Sequence, residues 1–359
     1  MTGDTVGGVW TFALDLARGL RPYGIGVVLA SLGGEPSDEQ RAEAESIPNL
    51  ILLTSRYKLE WMDDPWRDVE ESGRWLLDIQ KQFRPDVIHL NSYGHGSLPW
   101  KAPVILTAHS CVLSWWAAVR GDQLPPCWNR YRQAVESSIQ TADVVTTPSR
   151  VMLRMLKENY AAHPNACRVI PNGRRGGCYR PGPKEPFVLT AGRLWDEAKN
   201  AAAVARVASR LPWPVYLAGE CVHPNGSPVE FGVCRMLGRL SPGSLAEWYG
   251  RAAIYVLPAR YEPFGLSVLE AALSGCALVL GAIESLRELW DDAAVFVPAD
   301  DEDRLEDALR RLMKNPAERE ELGRRSAARA HSFTAERMAR SYANVYGSVS
   351  SLRGMACAS

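Results

Sequence analysis

The chain has 359 residues, enough for two domains at roughly 100–200 residues each. Apolar residues make up 46% and charged residues 23%, a balance that excludes a disordered chain. Forty-one Lys plus Arg offset 41 Asp plus Glu, which argues against a nucleic-acid partner held by bulk charge.

The first landmark is the pair Gly7-Gly8, followed by an amphipathic run over 9–20. Apolar runs then alternate with helical patterns, the signature of α/β units on parallel sheets. In the first half, strands are expected at 26–32, 50–53, 86–90, 104–107, 143–147 and 168–170, with helices at 66–83, 128–140 and 149–157. Three prolines and a glycine between residues 180 and 186 can continue neither a helix nor a central strand, so the linker is placed there. In the second half, strands are expected at 187–190, 215–218, 254–257, 277–280 and 294–297. Helices are expected at 200–210, 244–252, 266–274, 285–289, 302–313 and 317–330, and a last helix at 334–348. That helix is left over once the second sheet is complete, so it is expected to cross back to the first domain. The division is 1–180, completed by 333–359, and 181–332.

The first strand of a doubly wound domain is normally central and delivers the first loop. Residues 1–6 supply at most a stub before Gly7. The first strand is therefore expected to be short or missing, and the true start to lie upstream, adding an apolar run of about five residues. No apolar run approaches the roughly 18 residues of a membrane helix, and residues 1–5 lack the basic and apolar parts of an export signal. The reading is a cytoplasmic protein with no integral membrane association. Eight cysteines without a Cys-x-x-Cys pair indicate no zinc ribbon. They are expected to be reduced and mostly buried.

The segment richest in chemistry runs from Pro258 to Ala271, after a buried strand and into a helix. Glu262 and Glu270 would lie about 12 Å apart along a single helix, too far for the roughly 5–9.5 Å carboxylate pair of a glycosidase. Pro263 instead puts Glu262 in the loop, with Glu270 about one turn inside the helix. Two acceptors so placed suit two ends of one extended polar ligand, such as the sugar and the ribose of a sugar nucleotide. The amides of 264–267 are free to meet a phosphate or a sugar hydroxyl.

Glu, seven residues, Glu around Phe264-Gly265-Leu266 resembles the signature of the retaining GT-B glycosyltransferases of family 4, the group 1 type. Gly7-Gly8-Val9, Pro171-Asn172-Gly173, and Gly192-Arg193 followed by Lys199-Asn200 match that family in order and spacing. The resemblance implies a GT-B fold: two Rossmann-like domains facing a cleft, an N-terminal acceptor domain, a C-terminal nucleotide-sugar domain, and a C-terminal helix that crosses back. It implies that Arg193 and Lys199 hold the donor diphosphate, that Glu262 binds the transferred sugar and that Glu270 binds the ribose. Phe264, Gly265 and Leu266 would offer amides, Gly8 would approach the phosphates, and Asn172 would join the donor set. His109, after the run 104–108, would contact the donor sugar near the reacting carbon. The implied reaction is retaining transfer of a hexosyl or N-acetylhexosaminyl group from a nucleotide-diphosphate sugar, with no cofactor and no metal. Two departures stand out. Ser267 occupies a position where the family usually has Pro, and Arg174-Arg175 stand where it has an aliphatic residue and then Asp.

From Glu35 to Asp78 there are 12 acidic and 5 basic residues, a net of −7. Such a segment fits a small soluble acceptor, and a cationic one such as an aminosugar or aminocyclitol, better than an anionic membrane. Trp10 and Trp115 are candidate stacking residues and His95 a candidate acceptor contact. A solvated acidic face and core tryptophans are the competing reading. Two other functions remain open at this level: a nicotinamide or flavin oxidoreductase, which would want Gly-x-Gly-x-x-Gly after the first strand, and a non-catalytic sugar-nucleotide-binding subunit.

Overall fold

A computed structural model describes residues 1–222, 226 and 229–356. The chain forms two compact units. The N-terminal unit holds Met1–Ala117, Asp122–Gly173 and the chain from Ala335 on; the C-terminal unit holds Ala118–Gly121 and Arg174–Thr334.

The N-terminal unit runs β1 (Thr2–Asp4), α1 (Gly8–Leu20), β2 (Val27–Leu32), α2 (Asp38–Glu45), β3 (Leu50–Leu53), α3 (Trp66–Phe83), β4 (Ile88–Leu90), β5 (Val104–Thr107), α4 (Val112–Val119), α5 (Asn129–Thr141), β6 (Val144–Thr147), α6 (Arg150–Asn159) and β7 (Cys167–Val169). All its pairings are parallel, in the orders β1-β2-β3 and β4-β5-β6-β7. The first strand is short: three residues, in register with Ala30–Leu32 of β2. Asn91 ties it to the second half of the unit. Its backbone N–H donates to Thr2 Oγ1 (2.8 Å) and its side-chain amide to the Thr2 carbonyl (2.7 Å).

The C-terminal unit continues with β8 (Glu185–Ala191), α7 (Ala201–Ala208), β9 (Val215–Ala218), β10 (Arg235–Gly238), α8 (Pro242–Arg251), β11 (Ala252–Leu257), α9 (Leu266–Leu273), β12 (Ala277–Gly281), α10 (Glu284–Trp290), β13 (Val295–Val297), α11 (Glu302–Lys314) and α12 (Pro316–Ala330). Its six parallel strands lie in the order β10-β9-β8-β11-β12-β13. Successive side chains alternate between two cores. Val188, Ile254 and Val256 face α7 and α11, whereas Leu189, Tyr255 and Leu257 face α8 and α9. Burial on both faces is why these strands read as unbroken apolar runs.

The last helix, α13 (Ala335–Ala356), belongs to the N-terminal unit. Its Met338, Ala339, Tyr342 and Val345 share a core with Phe12, Leu16 and Leu20 of α1. The helices approach closely at Gly19, where a Cβ would lie 2.5 Å from that of Ala339. Tyr346 Oη is 2.6 Å from His89 Nδ1, and His89 Nε2 is 2.6 Å from Thr107 Oγ1. His89 is thus part of a buried polar network closing the helix onto β4 and β5.

Two expectations change. The chain passes between units after Gly173, seven residues before the Pro-rich segment. That segment lies along the C-terminal unit, where Gly182 N–H donates to the Gly250 carbonyl (3.2 Å). The cysteines are not mostly buried. Cys111, Cys234 and Cys276 are, but Cys127 and Cys178 are exposed and Cys167 and Cys221 partly so. The exposed two sit in short surface 3-10 turns, Pro126–Trp128 and Gly176–Cys178. Cys357 lies outside the described residues. Among the described residues, no helix is long and apolar enough to cross a membrane.

Candidate active site

In a parallel sheet, ligands bind beyond the C-terminal ends of the strands. In the C-terminal unit those ends carry the loops after β8, β9, β11 and β12. Gly192 (φ +145) and Gly219 (φ +133) let the first two loops nearly touch; a Cβ on Gly219 would stand 1.8 Å from the Gly192 carbonyl oxygen. Arg193 follows, paired with Asp196 (3.0 Å) and lying over the Trp195 ring at 5.5 Å. Asp196 also caps a 3-10 turn, Glu197–Lys199, by accepting from Ala198 N–H. Asn200, in the left-handed region at φ 56, anchors the turn through bonds to the Pro258 and Ala299 carbonyls (3.0 and 2.7 Å).

That anchoring brings Lys199 to Glu262. Its Nζ lies 2.7 Å from Glu262 Oε2, with both side chains only about one-seventh exposed (16% and 13%). Ser285 Oγ donates to the Glu262 carbonyl (2.7 Å) and fixes the loop from the other side. Phe264 is buried, and its amide reaches Glu262 Oε1 at 3.4 Å. Gly265 adopts φ +87 and opens α9 at Leu266 with no side-chain cap, so the positive end of the helix dipole is left for a ligand. Glu270 lies in this helix, mostly buried, with Arg174 Nε 2.9 Å from its Oε1. The Ser267 departure has a local explanation. Tyr255 Oη bonds Ser267 Oγ (2.8 Å) and the Ala191 carbonyl (3.2 Å), joining α9 to the end of β8.

In the N-terminal unit, Gly7 (φ −157, extended) precedes Gly8 at the start of α1, again without a side-chain cap. His109, after β5, is half-buried. Its Nε2 is 2.9 Å from Asn91 Oδ1, and its ring meets Phe12 edge-on at 4.5 Å. The Asn91 that holds β1 therefore also orients His109, and burial lowers its pKa to about 3. The imidazole is neutral. Asn172, just before the crossing, is buried at 6% exposure with its Oδ1 unbonded. Trp115 is half-buried beside Trp116, ring centroids 6.2 Å apart.

Two of the expected acceptor contacts are corrected. Trp10 lies in the core between α1 and α13. His95 is 1% exposed, its Nε2 at 2.8 Å from Ser72 Oγ and 3.2 Å from the Val69 carbonyl of α3. Both serve the fold.

The buried histidines predict an acid-labile N-terminal unit. Burial lowers His95 to about 4 and His89 well below its ordinary value. Unfolded histidine titrates near 6.5, so below that pH the unfolded chain binds protons that the folded one does not. Each ring then removes about 1.4 kcal/mol of stability per pH unit until its folded pKa is reached. His109 and the Met1 amino group, both lowered by burial, add to the loss; Glu60, whose pKa burial raises, works in the opposite direction, one group against four. Urea unfolding at pH 7 and pH 5 should show a clear net loss at pH 5; constant stability would refute neutral, buried rings.

Sequence comparison agrees with this construction. The model described as Glycosyltransferase Family 4 matches residues 6–174, and that described as Glycosyl transferases group 1 matches 232–329. The D-inositol 3-phosphate glycosyltransferase of Frankia alni is 36% identical, over 95% of this chain and 95% of its own. The chain belongs to the family 4, group 1 glycosyltransferases. A second relative of the same name, from Corynebacterium aurimucosum, is 24% identical over 98% of this chain and 93% of its own. Among solved structures, sucrose-phosphate synthase from Thermosynechococcus elongatus superposes with a TM-score of 0.78 at 19% identity, covering 100% of this chain and 99% of that one. Anabaena HepE, solved in complex with UDP and glucose, gives 0.75 at 14% identity, covering 97% and 99%. The fold is GT-B, and the protein is a glycosyltransferase.

Motif spacing picked out Arg193, Lys199, Glu262 and Glu270 but not the side chains that pair with them or hold their loops. Asp196, Ser285 and Tyr179 carry no motif. Arg174 was visible only as a departure from the family pattern.

Proposed function

We propose that this glycosyltransferase moves a sugar from a nucleoside-diphosphate sugar to a hydroxyl of a small polyol acceptor, with retention at the anomeric carbon. The observation that carries the reading is the Lys199–Glu262 pair on the same strand-end edge as Arg193 and the uncapped start of α9. A cation, a carboxylate and free amides together match a diphosphate joined to a sugar. As the bond from C1 to the phosphate oxygen breaks, the acceptor oxygen bonds C1 from the same face. The departing phosphate oxygen takes the acceptor's proton. Arg193 and Lys199 stabilise the charge left on the diphosphate, the role a divalent cation fills elsewhere. Among the described residues no group of three or more His, Cys, Asp or Glu is placed to hold a metal ion. Glu262 orients the sugar and Glu270 the ribose.

A cyclitol-type acceptor is favoured by the relatives named D-inositol 3-phosphate glycosyltransferase. The first test is thermal unfolding with UDP, GDP, ADP and NADH. One nucleoside diphosphate at a hundredfold excess over its Kd should raise Tm by about 5–10 °C, and NADH should not. A response to NADH alone would overturn the assignment. The anomeric configuration of the product, read by NMR, then tests retention.

A further inference from the structure

We infer that Arg174 and Tyr179 are positioning residues that clamp Glu270 for the donor ribose, a device centred on Arg174, which stands where the family usually has an aliphatic residue. The inference rests on the reading of Glu270 as the ribose acceptor. The clamp joins three side chains, with Arg174 at its centre. Arg174 Nε faces Glu270 Oε1 at 2.9 Å, and its Nη2 donates to the Tyr179 hydroxyl. After burial, the charge of Glu270 is what most raises the pKa of that hydroxyl. The guanidinium also lies over the Tyr179 ring, 5.2 Å from its centroid.

Each member is held from behind. Arg174 N–H donates to the Phe333 carbonyl (3.1 Å), and the residue bridges to Thr334. Tyr179 is buried against Tyr249, ring centroids 6.3 Å apart. Burial first, and Glu270 second, keeps the Tyr179 hydroxyl protonated, and it accepts from Arg174. The ion pair with Arg174 holds the Glu270 carboxylate from one side before the ligand arrives. Without Arg174, Glu270 would be a mostly buried carboxylate lacking its cation. Its rotamer would have to be fixed when the ligand binds, which costs affinity.

The experiment measures calorimetric affinity for the pairs UDP/dUDP, GDP/dGDP and ADP/dADP with wild type, Arg174→Leu, Arg174→Lys and Tyr179→Phe. For the base that binds, wild type should prefer the ribonucleotide about tenfold, the scale of one hydrogen bond to a charged group. Arg174→Leu and Tyr179→Phe should weaken the ribonucleotide about tenfold and leave the 2′-deoxy form within about threefold, so the preference disappears. Arg174→Lys should restore part of it. In turnover, donor KM should rise while kcat stays within about threefold. Undiminished preference in Arg174→Leu, or an equal fall for both nucleotide forms, would overturn the clamp. Equal binding of both forms by wild type would overturn the placement of ribose on Glu270, and the clamp with it.

Discussion

Lys199→Ala should lower kcat about 10²–10³-fold, the scale for removing one preorganised electrostatic group from a transition state. Lys199 is held by its own 3-10 turn, by Asn200 behind it and by Glu262 in front, so its ammonium is in place before the donor arrives. Alanine removes that charge and leaves Glu262 mostly buried without its cation. Stability should therefore also fall, by more than for Arg193→Ala, since the Arg193 side chain is 35% exposed. Arg193→Ala should cost turnover on the same scale with little change in Tm. Steady-state release of nucleoside diphosphate, with thermal unfolding of each variant, reads both effects. Near-normal kcat in either variant would mean that the leaving group sits elsewhere.

Gly219→Ala should be the most damaging small change in the C-terminal unit. Its φ of +133 is open to glycine and strained for any L side chain, and the added methyl would stand 1.8 Å from the Gly192 carbonyl oxygen. The obstacle is backbone, so no rotamer change relieves it. The loop after β8, which carries Arg193, has to move. A loss of about 3 kcal/mol or more is expected, together with weaker nucleotide binding. Gly243→Ala is the control. It lies in the first turn of α8 with nothing within 4 Å of the new methyl, and should be neutral or stabilising by up to about 1 kcal/mol. If Gly219→Ala unfolds at the control's temperature and binds nucleotide normally, the close approach of the two loops has no functional weight.

Strands β8, β9, β11 and β12 were legible because burial on both faces leaves them few polar positions. Helix α2 was not, because Asp38-Glu39-Gln40-Arg41 shows no apolar stripe. What starts it is a capping box, with Ser37 bonding Gln40 N–H and the Gln40 side chain bonding Ser37 N–H, a signal the sequence does carry. Strand β10 hid for another reason: an edge strand, mostly exposed, has no burial pattern to display. In the site, loop position and residue type were readable, but pairing was not. Lys199 and Glu262 meet only because β8 and β11 are neighbours in the sheet. His95 stood in a glycine-flanked stretch that reads as surface. Ser72 and Val69 of α3, some two dozen residues earlier, enclose it, and no local pattern announces them.

The return of α13 to the N-terminal unit also sets an order of events during synthesis. Arg174–Thr334 is one uninterrupted stretch, so the C-terminal unit can complete its core while the chain is still being extended. The N-terminal unit begins first and is completed only by α13. Its α1 face, and the His89 ring awaiting Tyr346, stay uncovered until the final helix emerges from the ribosome, and exposed apolar surface is what makes unfinished chains aggregate. A nonsense codon soon after residue 334 would therefore leave the C-terminal unit complete and strike the half of the molecule that was translated first.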